Sequence, residues 1–169
     1  MECNIISSFP VPEICFDEDM ESDSDYYHKL TPEEQGFLKL LDQVHGRYYD
    51  PDNEIPKDRI SRLMSDILYK DCFVVRTDND EIIGVGVCYS DPDESKTWIS
   101  AISVDESYQS KGIGSKILDH IEKRAREENM SKVALRSVFG AEGFYEHRGY
   151  NETDDVNDEE SLKELEKIL

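Results

Sequence analysis

The chain reads as a mixed α/β (α+β) domain: a mostly antiparallel central sheet flanked by helices. Three observations predict it. Two segments with helical spacing come first, then two β-rich runs joined by a polar turn, then a strand, a glycine-bearing loop, a helix and a further strand. The length, 169 residues, suits one domain, and 37% hydrophobic residues suffice for a core beneath a surface rich in the 34% that are charged.

Taken in order, residues 1–28 form an acidic N-terminal segment, and the domain proper spans 29–169 with an acidic C-terminal segment. The run Asp17-Glu18-Asp19-Met20-Glu21-Ser22-Asp23-Ser24-Asp25 repels itself and is expected at the surface. Asn4-Ile5-Ile6 or Ile14-Cys15-Phe16 is expected to supply a first strand. Thr31-Pro32-Glu33-Glu34 carries a Thr cap, a proline at the first helical position and acids in the first turn. Phe37, Leu38, Leu41 and Val44 mark one face of that helix, which ends near Gly46. After a polar, aromatic loop, Ile60, Leu63, Met64, Ile67 and Leu68 point inward from a second helix.

From Asp71 the period changes to that of strands. Cys72 to Arg76 and Glu81 to Tyr89 form a hairpin across Thr77-Asp78-Asn79-Asp80. Trp98 to Val104 is the next antiparallel strand. Ile113 to about Glu128 is a helix with Ile117, Leu118 and Ile121 inward. Lys132 to Val138 returns parallel to Trp98–Val104 through a right-handed crossover. A short helix, Ala141 to His147, closes on Gly149 as a left-handed cap. A strand is expected within 162–169, although Leu162, Leu165, Ile168 and Leu169 also fit helical spacing.

The net charge of −20 argues against nucleic acid, because binding phosphates needs clustered lysine and arginine. It favours cationic partners, with plain solvation of acidic tails as the alternative. No apolar run is long enough for a bilayer and no secretory leader opens the sequence, so no membrane association and a cytoplasmic location are expected. Cys3, Cys15, Cys72 and Cys88 lack metal-ligand spacing. No metal is expected; Cys72 and Cys88 are expected in the core as reduced thiols.

Gln109-Ser110-Lys111-Gly112-Ile113-Gly114 lies between an apolar strand and a helix. Backbone N–H groups at such a junction converge on one point and bind an anion, here a pyrophosphate. The spacing is neither that of a P-loop nor that of a dinucleotide fingerprint. It resembles the Q/R-x-x-G-x-G/A motif of the GCN5-related N-acetyltransferases (GNAT). Val104-Asp105-Glu106-Ser107-Tyr108 looks like that family's lead-in, with Glu106 or Ser107 in place of its proline. Gly143-Phe144-Tyr145-Glu146-His147-Arg148-Gly149-Tyr150 resembles its F-Y-x-x-x-G-F/Y element. The resemblance covers about residues 30 to 150.

It implies a sheet splayed between two parallel strands, with acetyl-coenzyme A (coenzyme A) as cofactor and an amine as acceptor. By resemblance, backbone groups of Ile102 and Val104 contact pantetheine and thioester. Gln109, Ser110, Lys111, Gly112, Ile113, Gly114 and Ser115 hold the pyrophosphate, Lys111 adding a point charge and Ser115 a hydroxyl. Tyr145 is the general acid toward the departing sulfur, a phenol of pKa about 10 facing a thiolate of about 8–9.

The general base departs from the family's pattern. Ile99-Ser100-Ala101 holds no carboxylate where some members carry a glutamate, and Ser137 replaces an asparagine. A water chain, or delivery of a neutral amine, is expected instead. Asp50, Asp52, Glu54, Tyr48 and Tyr49 either bind a cationic substrate or form a solvated loop. His147 reads as a surface residue, and Cys88 lacks a neighbour that would activate it for a covalent route. The leading expectation is acetyl transfer to a primary amine of a cationic small molecule or protein, by direct attack on the thioester. The alternative is a non-catalytic acyl-coenzyme A sensor with acidic arms. A homodimer stays open.

Overall fold

The computed structural model describes residues 6–9, 30–45, 59, 63, 69–137, 140–153 and 163–169. Its strands are β1 (Ile6–Ser8), β2 (Asp71–Arg76), β3 (Ile82–Asp91), β4 (Lys96–Val104), β5 (Lys132–Ser137), β6 (Asn151–Glu152) and β7 (Lys163–Ile168). Its helices are α1 (Pro32–His45), α2 (Ile113–Glu127) and α3 (Glu142–Glu146). The strands form one sheet in the order β1-β2-β3-β4-β5-β7-β6, in which β4 and β5 are the parallel pair. The predicted mixed α/β architecture holds.

Local chemistry sets the boundaries. At the start of α1 the Glu34 N–H donates to Thr31 Oγ1 at 3.2 Å, and the Thr31 N–H donates to Glu34 Oε2 at 2.7 Å. This reciprocal capping box satisfies two N–H groups that the helix itself leaves free. The β2–β3 turn closes with Thr77 N–H to the Glu81 carbonyl at 2.9 Å and Asp80 N–H to the Thr77 carbonyl at 3.0 Å. Strands β3 and β4 run further toward each other in sequence than expected, ending at Asp91 and starting at Lys96. The first strand begins at Ile6, where the Asn4–Ile6 candidate ends, and the Ile14–Phe16 candidate lies outside the described residues. Of the predicted second helix, Arg59 and Leu63 are described as helical, and Leu63 is buried.

The chain divides into two units. In the first, comprising residues up to Val87 and Ala101–Leu118, Phe37, Leu38, Leu41, Leu63, Val74, Val85, Val87 and Ala101 form an apolar cluster. Phe9 stacks on Phe37 with ring centroids 4.4 Å apart. On β3, a Cβ at Gly84 would lie 3.0 Å from Ile113 Cγ2 and 3.2 Å from Ile117 Cδ1. Only glycine lets the first turns of α2 pack this close to the strand.

The second unit comprises Cys88–Ser100 and Asp119–Leu169. Here β4 pairs with β5 from Lys96↔Lys132 to Ile99↔Leu135, and β5 pairs antiparallel with β7 from Lys132↔Ile168 to Ser137↔Lys163. The C-terminal segment is therefore a strand, as expected, and of its apolar residues Leu165 is fully buried while Ile168 is 76% exposed. Glu122 is buried inside this unit. Lys167 Nζ donates to both of its oxygens at 2.9 Å, and the Tyr150 hydroxyl donates to Oε1 at 3.3 Å.

Candidate active site

The loop that follows β4 is fixed before any ligand arrives. Asp105 N–H donates to the Ile83 carbonyl at 3.0 Å, and Asp105 Oδ1 accepts from Ser107 N–H at 2.9 Å. A single 3₁₀ turn, Glu106–Tyr108, carries the chain to Gln109, whose side-chain amide donates back to the Val104 carbonyl at 3.2 Å. Ser110 and Gly112 then take left-handed backbone conformations, with φ of +59° and +80°. Lys116 N–H to the Gly112 carbonyl, at 3.1 Å, is the first bond leading into α2.

This arrangement leaves the N–H groups of Ile113, Gly114 and Ser115 without helical acceptors, at the positive end of the α2 dipole. Left-handed Ser110 and Gly112 stand just ahead of them, a backbone conformation that anion nests use. Gly112 is required for its φ, because a Cβ there would meet no protein atom within 4 Å. Ile113 is buried and anchors the helix start, whereas Ser110, Lys111 and Gly112 are exposed.

Lys111 is tied into the turn itself. Its ammonium donates to the Ser107 carbonyl at 2.8 Å and lies 4.8 Å from the Tyr108 ring centroid. In this position Lys111 braces the turn. Ile102 and Val104 are half-buried, and both lie beyond the β4–β5 ladder, which ends at Ile99↔Leu135. Their peptide groups are left outside the parallel pairing, as an added extended chain would require.

Tyr145 lies on α3 in the other unit and is only 9% exposed. Its ring meets Phe144 edge-on at 4.9 Å and Tyr150 at 5.8 Å. Burial pushes the phenol up to about 12, so it stays protonated through neutral and mildly alkaline pH. Among the described residues the Tyr145 hydroxyl has no hydrogen-bond partner, whereas that of Tyr150 is bound to Glu122. A protonated, unengaged phenol is what a general acid needs.

The remaining candidates are placed as follows among the described residues. His147 is exposed, and its Nδ1 is held by the Gly143 carbonyl of its own helix. Cys72 and Cys88 are buried, as expected, and desolvation pushes the Cys72 thiol up to about 12, away from reactivity. Ser137 is buried and Ser100 half-buried. Tyr48, Tyr49, Asp50, Asp52 and Glu54 lie outside the described residues. Among the described residues no group of three or more His, Cys, Asp or Glu side chains could hold a metal, and no helix is long and apolar enough to cross a membrane. Sequence reasoning missed Gly84 and Glu122. A glycine inside a run of β-formers was the available sign of the first.

The model of the acetyltransferase (GNAT) family matches residues 22–150. Among solved structures, an IAA acetyltransferase from Bacillus cereus is similar at a TM-score of 0.63 and 18% identity, over 98% of this chain and 99% of that one. GCN5 from Tetrahymena is similar at 0.61 and 16%, over 82% and 89%. N-acetylglutamate synthase from Neisseria gonorrhoeae, solved with coenzyme A and N-acetyl-glutamate, gives 0.54 and 16%, over 69% of this chain and 28% of that one. No curated protein matches. With 129 of its 169 residues inside the family model, the chain belongs to the GNAT family of acetyltransferases, acyltransferases that use acetyl-coenzyme A.

Proposed function

We propose that the chain transfers an acetyl group from acetyl-coenzyme A to a primary amine of a cationic small molecule or protein. The observation that carries this reading is the loop from Gln109 to Ser115, with left-handed Ser110 and Gly112 leading into the uncapped N–H groups of α2. These donors suit the pyrophosphate of the coenzyme, and the peptide groups of Ile102 and Val104 suit pantetheine. Bound, the coenzyme supplies a thioester carbonyl open to attack by nitrogen. Tyr145 holds a proton on its phenol oxygen for the sulfur that leaves. No carboxylate occupies the Ile99-Ser100-Ala101 segment, so the amine gives up its proton to water or arrives neutral. The charge of −20 raises the local concentration of ammonium-bearing acceptors, small molecules or proteins alike, and a cytoplasmic setting supplies both substrates.

The test pairs Gly112→Asp with Gly112→Asn. Both residues tolerate a left-handed backbone and have the same shape, so they separate charge from folding. The aspartate variant should lose coenzyme binding by about 100-fold or more relative to the asparagine variant, as one negative charge is set among N–H donors aimed at phosphate. Equal affinities in two folded variants would overturn the site. Coenzyme release is then followed against a panel of amines. Tight coenzyme binding with no turnover on any amine supports the sensor reading, which the missing strand carboxylate favours.

A further inference from the structure

The described lysines and arginines are, with one exception, engaged. Arg59, Arg76, Arg124, Arg126 and Arg148 are paired with carboxylates, as are Lys96, Lys123, Lys132, Lys163 and Lys167. Lys111 is held by a carbonyl, and Lys39, Lys70 and Lys116 also have partners. Among the described residues Arg136 alone has neither a hydrogen bond nor an ion pair, although the chain has 39 acidic residues for 19 basic ones. Scarcity of carboxylates does not explain it.

The surroundings keep it free. Register sets Glu164 of β7 directly opposite Arg136, within reach of a cross-strand pair. Glu164 turns instead to Lys96, with Nζ 3.8 Å from Oε1. Lys96 also lies 4.6 Å from the Trp98 ring centroid, so one ammonium is held by both neighbours. Alternation along β5 puts Arg136 on the same face as Ala134, and Ala134 pairs with Trp98 across the parallel ladder. Tyr89 is 37% exposed, and Arg136 lies close enough to bias its phenol toward ionisation, against the burial and the Asp91 charge that hold its pKa above the ordinary value. Arg136 is exposed, and it is the first β5 residue past the last β4–β5 pair, Ile99↔Leu135.

We infer that Arg136 binds a carboxylate on the acceptor, so that the acetylated amine belongs to a small zwitterion of the amino-acid type. This rests on the acetyl-transfer reading and narrows it. A guanidinium meets a carboxylate with two parallel N–H donors, fixing the acceptor's direction as well as its charge. An exposed unpaired cation at the end of the parallel ladder suits that task. A lysine side chain on a protein surface offers no carboxylate there, and a simple polyamine would be repelled.

The test compares acceptors that differ only in the carboxylate, such as lysine against cadaverine and phenylalanine against phenethylamine. The wild-type protein should prefer the carboxylated member of a pair. Arg136→Ala should raise KM for that member by about 10- to 100-fold, the range for losing a charged hydrogen bond. It should leave both coenzyme affinity and KM for the decarboxylated partner unchanged. Arg136→Lys should recover part of the loss, because one point charge replaces a fork. No preference in the wild type, an equal loss on both members, or a fall confined to coenzyme affinity would each overturn the assignment. Absence of turnover on every amine, with coenzyme bound, overturns acetyl transfer and this inference with it.

Discussion

Strand β3 buries Ile83, Val85, Val87 and Cys88, whereas β7, reading Lys163-Glu164-Leu165-Glu166-Lys167-Ile168, buries only Leu165. Two strands of one sheet are thus held by different physics. In β3 the stabilisation is apolar area removed from water, which is non-directional. In β7 each charge finds a specific partner on a different element. Glu164 faces Lys96 of β4 at 3.8 Å, Glu166 faces Lys132 of β5 at 3.0 Å, Lys167 reaches Glu122 of α2 at 2.9 Å, and Lys163 reaches Glu152 of β6 at 2.8 Å. Apolar burial decides that β3 is inside. The ion pairs decide in which register β7 lies, because a one-residue slip would set every charge on the wrong face.

Breaking the charged side of this contrast should give the largest effect. Glu122→Ala should lower stability by about 3 kcal/mol in denaturant titration, since it removes the buried carboxylate shared by the buried Tyr150 hydroxyl and the half-buried Lys167 ammonium. Replacing Glu122 and Lys167 together by leucine and methionine should recover much of that loss. If the single change cost under about 1 kcal/mol, as surface pairs do, the buried pair would not be what holds the strand.

Tyr145 and Tyr150 sharpen the contrast within the same unit, as two buried phenols of which only one is bound to a carboxylate. Tyr145→Phe should slow turnover by about 100-fold with coenzyme affinity retained, while Tyr150→Phe should change stability and leave turnover nearly intact. A rate unaffected by Tyr145→Phe would remove it as the acid.

On the apolar side, Gly84→Val should cost about 1–3 kcal/mol, because its side chain would collide with Ile113 and Ile117. The same change should weaken coenzyme binding by displacing the start of α2. A pH titration probes both regions together. Cys72, Tyr145 and Tyr150 all have pKa values raised by burial, to about 12 for the first two, from 9.0 for the thiol and 10.0 for the phenols. The unfolded chain releases these protons first, so from about pH 9 it binds fewer than the native state. Stability should therefore be full below pH 9 and fall progressively toward pH 12. A flat denaturation midpoint from pH 8 to 11 would contradict the burial of all three. The smallest effect is expected at the solvent-exposed end of β7: Lys163→Ala should leave the melting temperature unchanged.

Much of this was legible in the residues. Thr31 announced a helix cap, the run from Gln109 to Gly114 announced a strand-to-helix turn, and Gly149 announced a left-handed cap with φ of +87°. Each is a local signal, decided by atoms within a few positions of one another. The reach of Lys111 back to Ser107 and Tyr108 was not legible, because it depends on the turn's shape and not on its composition. Glu122 looked like any polar residue on an amphipathic helix, and nothing nearby in sequence announced Lys167, 45 positions away.

The sequence by itself determined the order of elements, the apolar half of the sheet, the loop that turns its N–H groups outward, and family membership. Periodicity, caps and glycine conformation are properties of short stretches of chain. Only the tertiary structure decided which charges are spent and which are left over. Ion pairing is a contest among side chains brought together from distant positions. That Glu164 goes to Lys96 and leaves Arg136 alone is settled by register and distance, which no single segment contains.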